Sequence, residues 1–227
     1  MNISCIRILV FLLLLTSYGI QAQDRTTVFH EHEFAFRRTV TKNCSTNFAL
    51  SSRAFAYEDK DLLYRVQQVQ LSHFSTLKLD LKHSIALGVM FRNRDLFEGA
   101  SNEIRLTQQF NRKSILETLR FGHRFRSEQR FYDDFTAFRF RYRLALDIPL
   151  QGLKLDVGET YFVISNEALL TNAVSQKPEI GYRLSPLIRI QLSKNLSLEF
   201  GLELRLEDLN IKTDASLFFN TSVEIKI

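Results

Sequence analysis

The chain has 227 residues and a formal net charge of +5; 24% of residues are charged and 45% hydrophobic. Eight Gly and three Pro exclude a collagenous or low-complexity chain, and the length suits one large domain rather than two. Lys and Arg are scattered without a run of five like charges, so no nucleic-acid partner is expected.

The first element is a leader. Arg7 sits in a short polar lead, residues 8–15 are an apolar run, and residues 16–22 are a small and polar exit ending Gln21-Ala22. This is the pattern of a secretory signal peptide over residues 1–22, cleaved after Ala22. The run is too short to anchor the chain, since a spanning helix needs about 20 apolar residues. No later run approaches that length. Cleavage would leave Cys44 as the lone cysteine, so no intramolecular disulfide can form.

Beyond the leader, one theme repeats: some ten to fifteen residues alternating with a period of two, then a polar break. A period of two predicts strand, not helix. The strands expected are 28–40, 46–57, 62–74, 79–92, 102–110, 115–126, 136–148, 153–165, 179–192, 196–207 and 215–227. The clearest is 196–207, with Leu196, Leu198, Phe200, Leu202, Leu204 and Leu206 on one face and Ser197, Glu199, Gly201, Glu203, Arg205 and Glu207 on the other. The third strand fits neither phase around Val66 to Gln70, and Pro186 interrupts the ninth without breaking its phase. Short breaks near 73–76, 111–114, 149–152 and 193–195 alternate with long ones at 93–101, 127–135, 166–178 and 208–214. Short turns on one side and long loops on the other are the economy of an outer-membrane barrel.

The stretch FTAFRFRYRLAL at 135–146 shows why a bilayer is favoured over a soluble sandwich. Phe138, Phe140, Tyr142 and Leu144 share one face; Arg139, Arg141 and Arg143 share the other. The strands are long for a soluble protein, and their polar faces carry arginine and glutamate at strand centres. Lipid rewards the ring-bearing face and forbids unpaired backbone, which a closed barrel avoids. The expected fold is therefore all-β: a closed antiparallel transmembrane barrel of about ten strands, twelve being possible, in the outer membrane of a Gram-negative bacterium. Residues 46–227 form that barrel, and 23–45 are an N-terminal lead or extra strand. Tyr57, Tyr64 and Tyr132 fall at the outer ends, where an aromatic girdle belongs.

Three stretches carry a family likeness: Phe121-Gly122-His123-Arg124-Phe125-Arg126, Phe138 to Arg143, and the turn Ser193-Lys194-Asn195 before Leu196 to Gly201. They resemble the family catalogued as domain of unknown function 2490, from Bacteroidota-type Gram-negative bacteria. Its members usually carry an early Trp in the mature chain, and this sequence has none. The likeness implies an outer-membrane location and brings no activity and no functional residues.

With the rings toward lipid, the lumen is expected to hold Arg120, Arg124, Arg126, Arg139, Arg141, Arg143, Glu199, Glu203, Arg205 and Glu207. Asp80, Lys82, Glu103, Arg105, Lys154, Asp156, Glu179, Arg183, Arg189, Glu224 and Lys226 join them, and Glu159 is a misfit on the lipid phase. Two readings follow. The charges could line a narrow porin-like channel for small polar or anionic solutes, or they could interlock and fill a small barrel as a scaffold. A barrel enzyme acting on lipid or peptide is a further class, with His123, Ser127, Asp133 and Asp134 as candidates. His30 and His32 share a strand face, but no third metal ligand is evident. A soluble secreted β-sandwich binding protein and a loop-borne adhesin, using 166–178, complete the alternatives. No nucleophile-elbow, zinc-helix, phosphate-loop or dinucleotide motif appears, and no cofactor is expected.

Overall fold

The computed structural model describes residues 27–58, 61–94, 102–116, 119–152, 156–174 and 176–227. The expected signal peptide, residues 1–22, and Lys154 lie outside the described residues. The strands are β1 (Thr27–Thr39), β2 (Cys44–Glu58), β3 (Asp61–Lys78), β4 (His83–Arg94), β5 (Glu103–Leu116), β6 (Leu119–Phe131), β7 (Thr136–Pro149), β8 (Thr160–Ala173), β9 (Glu179–Gln191), β10 (Leu196–Glu207) and β11 (Asp214–Lys226). Each pairs with its chain neighbours, and β1 closes on β11 to complete a barrel.

All neighbouring pairs are antiparallel except β1 and β11, which run parallel. An up-and-down wall with an odd number of strands can close only in this way. The strand count thus falls between the ten and twelve expected, because the segment 28–40 is inserted into the wall between β2 and β11. Among the described residues the wall takes in Thr27–Thr39, ahead of residue 46.

Two irregularities in the sequence pattern have local causes. In β3, Arg53 pairs with Gln68 but Ala54 pairs with Val66, so Gln67 is an extra residue in the ladder. A bulge shifts side-chain phase by one, which is why Val66 to Gln70 match neither face. Pro186 interrupts the β9–β10 ladder: Gly201 pairs with Leu187 and Leu204 with Leu184, with no pairs between. The register on either side is the same, so the missing N–H removes local bonding without shifting phase. At Gly201 a Cβ would lie 2.8 Å from that of Leu187, so only glycine lets β10 approach β9 there.

The eighth strand departs from expectation. It covers Thr160–Ala173, not 153–165, and the segment read as the long loop 166–178 is mostly wall. Two glycines lie in the connection ahead of it. Gly152 and Gly158 both have positive φ, at 64° and 85°, and each marks turn backbone between β7 and the start of β8 at Thr160. Leu150 and Gly158 donate to the Thr160 and Gln191 carbonyls and tie this loop down. Glu159, the misfit, lies in the loop, where its carboxylate accepts the Asp156 N–H. With β8 shifted, 150–159 is a long connection at the C-terminal end and 174–178 a short one opposite. The expected division into a short-turn end and a long-loop end does not hold.

The turn 79–82, expected within the fourth strand, closes β3 onto β4. Oδ1 of Asp80 accepts the Lys82 and His83 N–H groups, at 2.6 and 2.7 Å, and Oδ2 meets the His83 ring. These bonds, that to the His83 ring first, hold the Asp80 carboxyl down at about 2.

Candidate functional site

In a closed barrel every second side chain points inward. The inward set begins with charges at strand centres. Arg124, Arg126, Arg139, Arg141, Arg143, Glu203, Arg205 and Glu207 line an internal cavity of about 1160 Å³. The cavity touches Lys82 and Lys113 at the C-terminal end and Tyr132 and Asp208 at the other, so it runs the length of the barrel. Arg120 and Glu199 are taken up nearer the C-terminal end: the Arg120 Nε donates to Asp147 at 2.6 Å, and Glu199 pairs with Arg189. Asp156 is exposed in the connection ahead of β8, outside this set.

Much of the arginine is held by carboxylates buried in the wall. Glu103, fully buried, pairs with Arg92 (3.2 Å), Arg94 (3.6 Å), Arg105 (2.7 Å) and Arg130 (2.7 Å). Glu128 takes Arg105 (3.3 Å), Arg126 (3.6 Å) and Arg141 (3.0 Å). Glu167 takes Arg124 at 2.8 Å and Arg141. Three carboxylates therefore share seven guanidinium groups across five strands. A second group joins Glu31 to Arg53 (2.7 Å) and Arg205 (3.6 Å), with Glu203 on Arg205 and on the Ser185 hydroxyl.

The cross-strand register makes the excess of positive charge plain. Arg124 stands directly opposite Arg143, Arg126 opposite Arg141, Arg105 opposite Arg130 and Arg183 opposite Arg205. Like charges directly opposite are destabilising. Aromatic faces relieve part of this: Arg126 lies 5.3 Å from the Phe74 ring centroid, Arg130 5.3 Å from Tyr132, and Arg205 3.6 Å from Phe218. Among the described residues sixteen Arg and Lys line the cavity against eight Asp and Glu. Phe29, Phe55 and Phe218 form an apolar cluster on the inner wall of β1, β2 and β11, with the Arg53 guanidinium over two of these rings.

The sequence reading missed Glu167 and Glu128 because both fell in segments read as loops. For Glu128 a signal existed: the period-two series Arg124, Arg126 continues through Glu128 to Arg130. Glu31 lay on the segment read as a lead or extra strand, and Arg53 on the strand beside it.

The residues considered for catalysis do not converge. His123 and Ser127 lie on the outer side, where the His123 ring meets the Tyr142 hydroxyl at 2.9 Å and Ser127 meets Gln129. Asp133 and Asp134 lie in the turn after β6, roughly 25–30 Å of strand from His123. His30 and His32 also point outward, rings stacked at 6.1 Å, with His32 bonded to Thr221. Among the described residues no group of three His, Cys, Asp or Glu could hold a metal ion. Of the three tyrosines expected at a girdle, Tyr64 is well exposed, and Tyr132 instead lines the lumen mouth.

No curated protein matches the chain. Among solved structures it is similar to the siderophore receptor PirA from Pseudomonas aeruginosa, at 14% identity and a TM-score of 0.31, over 78% of this chain and 33% of the receptor's. The chain thus spans about a third of that receptor's length. The family described as a protein of unknown function (DUF2490) matches over residues 21–214, and the chain belongs to it.

Proposed function

We propose that this protein is an integral outer-membrane barrel whose arginine-rich lumen gives small anions a narrow, porin-like path. The observation that carries the reading is an inside-out partition: rings and leucines outside, paired charges inside. Phe34, Phe48, Leu87, Phe125, Phe140, Phe200 and Phe219 are all exposed on the outer face. No soluble protein of this size gains by leaving such a band in water. On β10 the outer leucines run from Leu196 to Leu206. At about 3.4 Å per residue and a tilt near 40°, that band is about 26 Å tall, the height of the hydrocarbon layer such barrels meet.

Basic side chains outnumber acidic ones two to one along the cavity, which favours anions. Spread over that height, 1160 Å³ gives a mean section of about 45 Å², enough for small solutes only. The buried network around Glu103 and Glu128 supports a second reading, a closed scaffold stabilised by its own ion pairs. Recording in planar bilayers under a KCl gradient separates them. Discrete steps with an anion-selective reversal potential support the path; silence at all voltages supports the scaffold, and cation selectivity sinks the anion reading.

A further inference from the structure

Arg143 on β7 and Arg183 on β9 flank Glu167 in the register of the wall. Neither reaches it. The two oxygens of Glu167 are taken by Arg124 and Arg141 instead. Arg143 has no ion pair or hydrogen bond with any described residue, and Arg183 has one ion pair, to Glu207 at a long 3.9 Å. The Nε atoms of Arg124, Arg141, Arg143 and Arg183 are buried and have no partner among the protein's groups. Arg124, Arg141, Arg143 and Arg183 all border the cavity.

We propose that Arg143 and Arg183 form a binding site for a dianionic oxyanion of the phosphate type, seated over Glu167 in the lumen. Strands lie about 4.8 Å apart, so two side chains on β7 and β9 arise some 10 Å apart, a span that long arginines close onto one tetrahedral group. Guanidinium forks offer paired N–H donors matched to phosphate oxygens. One guanidinium without an ion pair and one with a single long pair leave positive charge that a doubly charged anion would match. A monovalent anion would leave one unmatched. Glu167 sets the floor of the site: it occupies Arg124 and Arg141, and its own charge opposes the ligand.

The proposal deepens the anion-path reading but is tested apart from it. Inorganic phosphate is titrated calorimetrically into the full-length barrel folded in detergent, with chloride as background. Wild type should bind one phosphate saturably. Arg143→Gln with Arg183→Gln should weaken binding at least tenfold, and Glu167→Gln should tighten it severalfold by removing the opposing charge and releasing two arginines. Slower migration on gels after boiling shows that each variant was folded. Absence of saturable binding to wild type, or equal binding by the double variant, overturns the site. Weakening by Glu167→Gln in a folded barrel does so too. A barrel that binds phosphate but stays silent in bilayers overturns only the path, and one that conducts without binding overturns only the site.

Discussion

Glu103 shows what a single buried charge does in this wall. Its carboxylate is fully buried and holds four guanidinium groups from three strands, β4, β5 and β6. Removing one partner of a buried pair leaves uncompensated charge, at about 3–5 kcal/mol. Glu103→Ala is expected to lower stability by that order, read from the urea midpoint of the unboiled fast-migrating form. Glu207 is the contrast, about half-exposed at 45% and, among the described residues, ion-paired only with Arg183 at 3.9 Å. Its replacement by Ala should change stability by no more than about 1 kcal/mol. Equal effects at the two positions would mean that the network does not hold the wall. Which charged residues share one face of a strand was legible, because Arg120 to Arg126, Arg139 to Arg143 and Glu199 to Glu207 alternate cleanly. Which carboxylate meets which arginine was not, since pairings such as Arg124 with Glu167 join residues 43 apart in sequence.

At the scale of the strand, alternation reads well until something local changes phase. Eight of the eleven segments lie within about four residues of where periodicity puts them; β5 and β6 run on further, through the breaks read at 111–114 and at 127–131. β8 lies further off, because Asn166, Ala168 and Asn172 on its outer side carry no strong apolar signal; pairing with β7 and β9 makes that stretch a strand. Propensity loses there to the ladder on both sides. The β3–β4 hairpin offers a sharper test of close packing. Phe74 pairs with Gly88, and its ring lies where a Cβ on Gly88 would fall, 2.3 Å from Cε1. The same ring carries Arg126 above it. Gly88→Ala should therefore cost about 1–3 kcal/mol by overpacking. Adding Phe74→Ala should recover part of that loss, so a double-mutant cycle of unfolding midpoints would be non-additive. Strict additivity would show that the ring does not depend on the glycine.

For the whole molecule, closure by parallel β1 and β11 has a consequence that an even-stranded barrel lacks. Eleven traverses put the start of β1 and the end of β11 at opposite ends. Thr27 then shares an end with Leu62, at the start of β3, whereas Ile227 shares one with Leu81 in the turn after β3. Leu62 and Leu81 are both highly exposed, at 87% and 101%, so each position can report its side. In a Cys44→Ser background, Thr27→Cys, Leu62→Cys and Leu81→Cys can be labelled one at a time with a membrane-impermeant maleimide on intact cells. Thr27→Cys and Leu62→Cys should behave alike, and Leu81→Cys oppositely; lysis should make all three reactive. If the C-terminal end faces the periplasm, the first two react on intact cells and the third does not. The reverse pattern would invert the barrel and leave its closure intact. If Thr27→Cys instead followed Leu81→Cys, β1 could not run beside β11 as a wall strand. The barrel would then be the ten strands β2 to β11, with residues 27–39 outside the wall.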